Sequence, residues 1–600
     1  MDAPASPVRF DADGAPRSRR CGDVYFSKGG GLAESRRVFL AGCGLPERWA
    51  GRGRFLVGEL GFGTGLNVLA LLDLWRAHRP PGARLAVFSV EAEPLSASEA
   101  RRALAAWPEL ADLTELLTAR WPGQRRGFHR VDLPELGATL DVAVMDVADA
   151  LRAWDGRADA WFLDGFAPAV NPEMWTDEVM ALVARRSAAG ARAATYTVAG
   201  RVRRALAAAG WRPERRPGFG AKRERLEAFA PGEAANDPPA SPRVSIVGAG
   251  IAGAALARAF ADQGVAVRVL EAERAGGAAS GNPSALVTPR LDAGLGPIAQ
   301  LHAQAFARAC QLYERVAAVV IARGVLQLEA GPRDAARFAK IAASDLFEPG
   351  ALQRLSGDAV RAALGEPAPS ALRLASALVV EPERILAAWL PQLDIARVAR
   401  LERSGEAWRL LDGDGGALAE AEVVCLAPGV GLRALWDGAP IEPVRGQLSW
   451  TDGVAFTAVA WGAYVAPTRR GVAFGATHDR GDARADLRAG DDARNLEAVG
   501  ARLPALGATL RDRPTGARAA VRAATPDRLP IAGEAAPGLF VLGGFGARGF
   551  ALAPLLAEHV AARALGLPSP LPAPLADVVE PHRFVRRARR RGMARSGPAV

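Results

Sequence analysis

Between about residues 25 and 230 the chain alternates short, continuously apolar runs with longer stretches whose apolar positions recur every three or four residues. That pattern predicts buried strands joined by helices, the layout of an α/β domain. Phe55–Leu60 reads as a strand, and a helix is predicted from about Leu66 to His78. Leu85–Glu91, Asp141–Asp146 and Ala160–Asp164 read as further strands, each ending in an acid. The pattern stops at Pro231–Pro242, where Pro and small or polar residues crowd together as in a linker. A new strand–helix–strand pattern begins at Arg243, and no comparable break follows before a basic stretch near the end. The predicted organisation is a domain over 1–230, a linker over 231–242, a larger domain over 243–580 and a basic tail over 581–600.

Each domain opens on a strand, a glycine-rich loop and a helix, the place where an α/β sheet holds a nucleotide cofactor. The first loop is Glu59-Leu60-Gly61-Phe62-Gly63-Thr64-Gly65-Leu66-Asn67. Gly61, Gly63 and Gly65 let the backbone turn tightly and approach a ligand. Glu91, closing the next strand, is suited to accept both ribose hydroxyls of an adenosine, and Asp146 to meet the adenine amino group. The third glycine falls too early for dinucleotide spacing, so the pattern suits S-adenosylmethionine, the alternative being a plain glycine-rich turn.

The second loop has full dinucleotide spacing at Gly248, Gly250 and Gly253, with Glu271 ending the next strand where it can hold a ribose. Two later features favour FAD over NAD. Gly277–Asn282, with Ser280, Gly281 and Asn282, is similar to the turn that covers the pyrophosphate and flavin in flavin amine oxidases. A late glycine loop with Gly544, Gly546, Arg548 and Gly549 opens another helix, whose N–H groups can face the flavin's pyrimidine edge.

Two residues carry candidate chemistry. Asp164 heads Leu163–Trp175, a Pro-bounded loop that resembles the acid-Pro-aromatic loops of amine methyltransferases. A primary amine is protonated near neutral pH, and a carboxylate can orient it and take its proton. The competing role for Asp164 is a helix cap. Arg522 lies in Val521–Gly533, which resembles the Arg-Pro-x-x-x-Asp-x-x-Pro motif of glycine and D-amino-acid oxidases, whose Arg grips the substrate carboxylate. A structural salt bridge is the competing role. Pro443-Val444-Arg445-Gly446-Gln447 is a second signature shared with that group.

Composition narrows the class. Of 600 residues 50% are apolar, which excludes a disordered chain. The four cysteines, at 21, 43, 310 and 425, have neither metal-ligand spacing nor a disulfide framework, so a reducing cytoplasm is expected and no metal. Met1-Asp2-Ala3-Pro4 lacks the features of a signal peptide, and no apolar run reaches the ~18 residues of a membrane span. The net charge of +10 fits either an anionic partner or an Arg-rich solvated surface. His582–Arg591 fits either a phosphate grip or a disordered tail.

Taken in order, the motifs resemble one family nearly end to end. They run from Asp23-Val24-Tyr25-Phe26-Ser27, Gly31–Ser35 and Val38–Leu40 through both glycine loops, the Asp164 loop, Gly218–Arg223 and Ala279–Pro283. They resemble the MnmC family of bifunctional tRNA 5-methylaminomethyl-2-thiouridine biosynthesis proteins. The resemblance implies an N-terminal Rossmann-like S-adenosylmethionine methyltransferase domain. It also implies a C-terminal FAD-binding Rossmann domain of the glycine/D-amino-acid oxidase type with an α+β substrate subdomain. The implied substrate is the tRNA wobble uridine: oxidative removal of a carboxymethyl group, then methylation of the amine left behind. Lys222 and Arg223 are candidate RNA contacts, and a monomer is expected. Ala427-Pro428-Gly429 departs from the turn usual in this flavin superfamily. The competing functions are a fused oxidase and methyltransferase acting on a free small-molecule amine, and a non-catalytic tRNA-binding scaffold.

Overall fold

The computed structural model describes residues 6–26, 30–220, 222–233 and 241–590. It divides into two compact units, Met1–Ala240 with Pro568–Ala573, and Ser241–Leu567 with Pro574–Val600. Most of the expected linker, 234–240, and the end of the expected tail, 591–600, lie outside the described residues.

The first unit is built on an eight-stranded sheet. Its order is Gly127–Leu133, Ala138–Val144, Arg84–Glu91, Arg54–Leu60, Ala158–Leu163, Ser187–Thr195, Glu224–Phe229, Arg212–Pro217. The five strands from Ala138–Val144 to Ser187–Thr195 run parallel, and the remaining three are antiparallel. Parallel strands covered on both faces must be apolar throughout, which is why these segments read as continuous runs. At Gly58 the missing Cβ makes room for the Trp161 ring, whose nearest atoms would lie 2.4 Å from a methyl there. The chain leaves Arg54–Leu60 toward one side of the sheet and returns to its other side at Ala158–Leu163. This switch point gathers the C-terminal ends Leu60, Glu91 and Leu163.

Among its described residues the second unit has three sheets, the smallest being the antiparallel Arg400–Ser404, Ala407–Leu411 and Ala417–Ala421. In the six-stranded one, Leu393–Ile395, Val267–Glu271, Val244–Val247, Val423–Leu426 and Leu539–Gly543 run parallel, with Ile531–Ala536 antiparallel at the edge. The ten-stranded sheet carries the long antiparallel pair Glu442–Asp452 and Gly516–Ala524, whose register sets Val444 opposite Arg522. The basic stretch expected to be a tail instead forms the helix Arg583–Arg590 within this unit, with Arg583 buried. Among the described residues no helix is long and apolar enough to cross a membrane, and no cluster of His, Cys, Asp or Glu can hold a metal.

Candidate active sites

The first site is a cavity of about 380 Å³ at the switch point, lined by the loop after Leu60, Glu91, Asp164 and residues near the start of the chain. Gly61, Gly63 and Gly65 all have positive φ, at 96°, 53° and 79°. A Cβ on Gly61 would lie 2.4 Å from the Asp164 carbonyl oxygen, so the loop and the Asp164 strand touch backbone to backbone. Gly65 lies off the cavity and caps the helix Leu66–His78. Glu91 accepts hydrogen bonds from Gly63 N (2.8 Å) and Glu93 N (2.9 Å), which fix a carboxylate at the cavity wall. Burial pushes its pKa up, and those N–H groups oppose the rise. The glycine cradle and the fixed acid fit an adenosine-bearing methyl donor.

Asp164 faces the same cavity. Asn67 Nδ2 donates to its Oδ2 at 2.6 Å, and Asn67 Oδ1 in turn accepts from the Ser35 hydroxyl at 2.6 Å. Burial raises the Asp164 carboxyl to about 7, with Asn67 opposing, Glu34 adding and Lys222 subtracting. A carboxyl that titrates near neutral pH is matched to taking a proton from an amine. Asp164 caps no helix, which removes its competing role; the helix Asp177–Arg185 is capped by Thr176. Around it stand Tyr196, whose hydroxyl donates to Gly165 O at 2.7 Å, and Phe166, edge-on to Tyr25.

Two sequence expectations need correction here. Glu59 does not line the cavity: its place on the strand turns it toward Ser89, whose hydroxyl donates at 2.5 Å, and burial lifts its carboxyl to about 8. Asp146 is likewise off the cavity and caps the helix Val147–Ala153, accepting from Ala148 N; Met145 and Val147 line the wall instead. Lys222 lines this cavity, with Nζ 2.7 Å from Glu34 Oε1 and 3.9 Å from the centre of the Tyr196 ring. Arg223 is exposed beside it.

The second site is a cavity of about 1200 Å³ along the parallel sheet of the larger unit. A volume above the ~300–1,000 Å³ of small-ligand pockets suits a dinucleotide together with a substrate. Gly248 has φ 105°, and a Cβ there would sit 2.6 Å from Ala427 O. Glu271 lines the cavity and accepts from Ala249 N at 2.7 Å. The Ser280 hydroxyl accepts from Ile251 N at 3.0 Å, tying the Gly277–Asn282 turn to the helix start. Gly253 and Gly281 serve packing: Cβ atoms there would lie 1.8 Å from Gly248 O and 2.3 Å from Gly276 O. Gly250, Asn282, Gly544 and Gly549 line the cavity. A Cβ on Gly429 or Gly546, which also line it, would enter open space, with no neighbouring side chain or backbone within 4 Å. This cradle fits FAD.

Arg522 lines this cavity beside Tyr464. Its guanidinium donates to Thr477 O at 3.3 Å and has no carboxylate partner among the described residues, which argues against a structural salt bridge as its role. Burial lowers its pKa, as expected of a cation held without a counter-ion. Arg445 of the second shared signature is instead fully buried on Asp491 and Asp479. Arg548 lines the cavity while donating to Thr288 O and Pro289 O, and burial lowers it to about 10. Sequence reasoning missed Arg518, which donates to Asn282 Oδ1 (3.2 Å) and Gly277 O (2.8 Å) and so clamps the covering turn.

Comparison with known proteins bears on both cavities. Residues 108–231 match a family of S-adenosyl-L-methionine-dependent methyltransferases, and residues 243–563 match FAD dependent oxidoreductases. A relative from Caulobacter sp. (strain K31), the tRNA 5-methylaminomethyl-2-thiouridine biosynthesis bifunctional protein MnmC, is 59% identical over 97% of this chain and 98% of its own length. The chain belongs to the MnmC family. The MnmC proteins of Caulobacter vibrioides and Maricaulis maris are 57% and 41% identical, over 96% and 97% of the chain and 98% and 97% of their own lengths. The larger unit shares its fold with glycine oxidase from Geobacillus kaustophilus, at TM-score 0.50 and 22% identity over 56% of this chain and 98% of that one. Like its MnmC relatives, the chain joins an S-adenosylmethionine-dependent methyltransferase to an FAD-dependent oxidoreductase.

Proposed function

We propose that the two sites act in succession on the wobble uridine of tRNA. The larger unit removes the carboxymethyl group from 5-carboxymethylaminomethyl-2-thiouridine and leaves an aminomethyl group. The first unit then methylates that amine to give 5-methylaminomethyl-2-thiouridine. The observation that carries this reading is the guanidinium of Arg522, which lines the flavin cavity with no carboxylate partner among the described residues. A carboxymethylamine is an N-substituted glycine, and its carboxylate matches such a fork.

When bound, FAD supplies the hydride acceptor for the carbon beside the amine. Arg522 would hold the carboxylate end, and Tyr464 would form the adjoining wall, so that this carbon is oriented. Water hydrolyses the resulting imine, releasing glyoxylate and a primary amine. In the first unit the methyl donor supplies an electrophilic methyl group. Asp164, held by Asn67, would accept the ammonium proton and direct the nitrogen lone pair inward. The order follows from the chemistry, because the primary amine exists only once the carboxymethyl group has gone.

A net charge of +10 and the exposed Arg223 suit an RNA partner, and four free cysteines suit a reducing cytoplasm. The test is to treat undermodified tRNA with the enzyme and each cofactor alone, then both, and to follow nucleosides by mass spectrometry. Carboxymethyl loss with FAD, and methylation only of the aminomethyl product, are expected. An unchanged wobble uridine overturns the reading; turnover of a free amine in its place would establish the small-molecule alternative.

A further inference from the structure

Lys222 presents an ammonium to the first cavity, held as an incoming amine would be. Its Nζ meets Glu34 Oε1 at 2.7 Å and lies 3.9 Å from the centre of the Tyr196 ring. The two charges of this pair have unlike mobility: the Glu34 side chain is 12% exposed, set in the cavity wall, whereas that of Lys222 is 43% exposed. Lysine is a flexible arm whose ammonium exchanges partners readily. An alkylammonium directed at Asp164 would meet the same carboxylate and the same ring face, both favourable to a cation.

We propose that Glu34 selects the methyl-transfer substrate by charge: it exchanges Lys222 for the protonated primary amine of the wobble substituent and excludes a substituent that still carries a carboxylate. The proposal rests on the two-step reading above. Its physical basis is the contrast between the two cavities. Asp23, Glu34, Glu91, Glu93 and Asp164 line the first, against the cations Arg20 and Lys222. Arg20 is engaged with Glu93 and Glu173, and Lys222 with Glu34. A carboxymethyl group there would stand against Glu34 and Asp164 in a cavity whose lining acids outnumber its cations five to two, and like charges so placed oppose binding. The flavin cavity has the reverse character: Arg290, Arg337, Arg397, Arg522 and Arg548 line it against Glu271 and Asp292, and among the described residues Arg522 has no carboxylate partner. Each cavity thus admits one form of the same substituent, and the order of the reactions is enforced at binding.

The test compares full-length enzyme with its Glu34→Gln variant on two tRNAs, one bearing the aminomethyl and one the carboxymethylaminomethyl group. It is run anaerobically with each tRNA in large excess over the enzyme, so that the oxidative step stops once the bound FAD is reduced. Wild type is expected to methylate the first alone. Glu34→Gln is expected to raise KM for it about tenfold with little change in kcat, the loss of one charge pair. The variant is also expected to form the N-methyl-N-carboxymethyl tertiary amine from the second tRNA, a gain that damage to the fold does not produce. Unchanged KM with no tertiary amine overturns the proposal, as does wild type methylating both tRNAs alike. Wild type methylating neither overturns the two-step reading instead. Should Glu34→Gln lose methyl-donor binding, Glu34→Asp, which keeps the charge, must still reject the carboxymethyl form; tertiary amine from Glu34→Asp refutes the filter.

Discussion

Asn67 donates from Nδ2 to Asp164 Oδ2 at 2.6 Å, which ties the helix after the first glycine loop to the carboxyl that lines the same cavity. Asn67 is itself oriented by the Ser35 hydroxyl. The bond favours the ionised carboxylate and opposes the rise that burial causes, leaving Asp164 at about 7. Proton acceptance needs the ionised form, so the methylation rate should climb as pH rises through about 7 and level off above it. Asn67→Leu removes the opposing bond and should move that acid limb upward. Single-turnover methylation across pH checks both statements, with donor affinity measured alongside; an unmoved limb in the variant would show that Asn67 does not set the Asp164 charge.

Asp164→Asn keeps the shape of the side chain and removes its capacity to take a proton. Loss of a positioned base costs about 10²–10⁴-fold in rate. The aminomethyl nucleoside should therefore accumulate in treated tRNA while the methyl donor still binds. Retention of wild-type rate at saturating donor would remove Asp164 from the chemistry.

Arg522→Met should lower kcat/KM of the oxidative step by about a hundredfold or more, the ~3 kcal/mol expected when a carboxylate loses its charged partner. Arg522→Lys should recover only part of it, since an ammonium cannot reproduce the two-pronged contact. Methylation of preformed aminomethyl tRNA should be untouched in both variants. Parallel loss of both activities would point to a damaged fold rather than a lost contact.

What the sequence disclosed and what it withheld follow one physical rule. The glycine loops, Glu91 and Asp164 were legible because each sits at a fixed offset from an apolar strand, and strand ends converge at the switch point of a parallel sheet. Glu34 and Lys222 lie in two of the family motifs but were not joined in one site, because they meet across 188 positions of chain and no spacing links them. Asp146 misled for the opposite reason: an acid after a strand is suited both to a ligand and to a helix cap, and here the cap prevails. Glu59 shows that strand alternation can turn an acid beside a glycine loop away from the ligand.

Two glycines of the flavin loop should differ sharply. A Cβ at Gly253 would lie 1.8 Å from Gly248 O, a backbone atom that cannot yield without moving the loop. At Gly250 the nearest atom is the Ser280 hydroxyl at 3.1 Å, which has only to give by a few tenths of an ångström. Gly253→Ala should abolish flavin absorbance in the purified protein and cost roughly 1–3 kcal/mol or more of stability. Gly250→Ala should retain the flavin, bound more weakly. Equal flavin content in the two variants would contradict the packing argument.

The last prediction concerns the basic residues near the end of the described chain, whose charge fitted either a grip on phosphate or a disordered tail. Arg583 is 2% exposed and donates to both Asp527 oxygens, at 2.9 and 3.0 Å, and to Leu529 O at 2.8 Å. Arg587 reaches the same carboxylate at 2.6 Å. Asp527 follows the strand Gly516–Ala524 that carries Arg522, so these cations brace the turn after that strand within their own unit. Burial would raise Asp527 from its ordinary 3.8, but Arg583 and Arg587 pull it down to about 2. A folded-state pKa below the unfolded one means that the stabilisation is complete above about pH 4 and is lost as pH falls toward 2. Breaking a buried pair costs about 3–5 kcal/mol; with Asp527 partly exposed and Arg587 remaining, Arg583→Ala should cost nearer 2–3 kcal/mol at neutral pH. Thermal unfolding at a series of pH values should show the variant several degrees below wild type at pH 7, with the two curves converging below pH 4. A variant as stable as wild type but weaker in tRNA binding would return Arg583 to the phosphate-binding role.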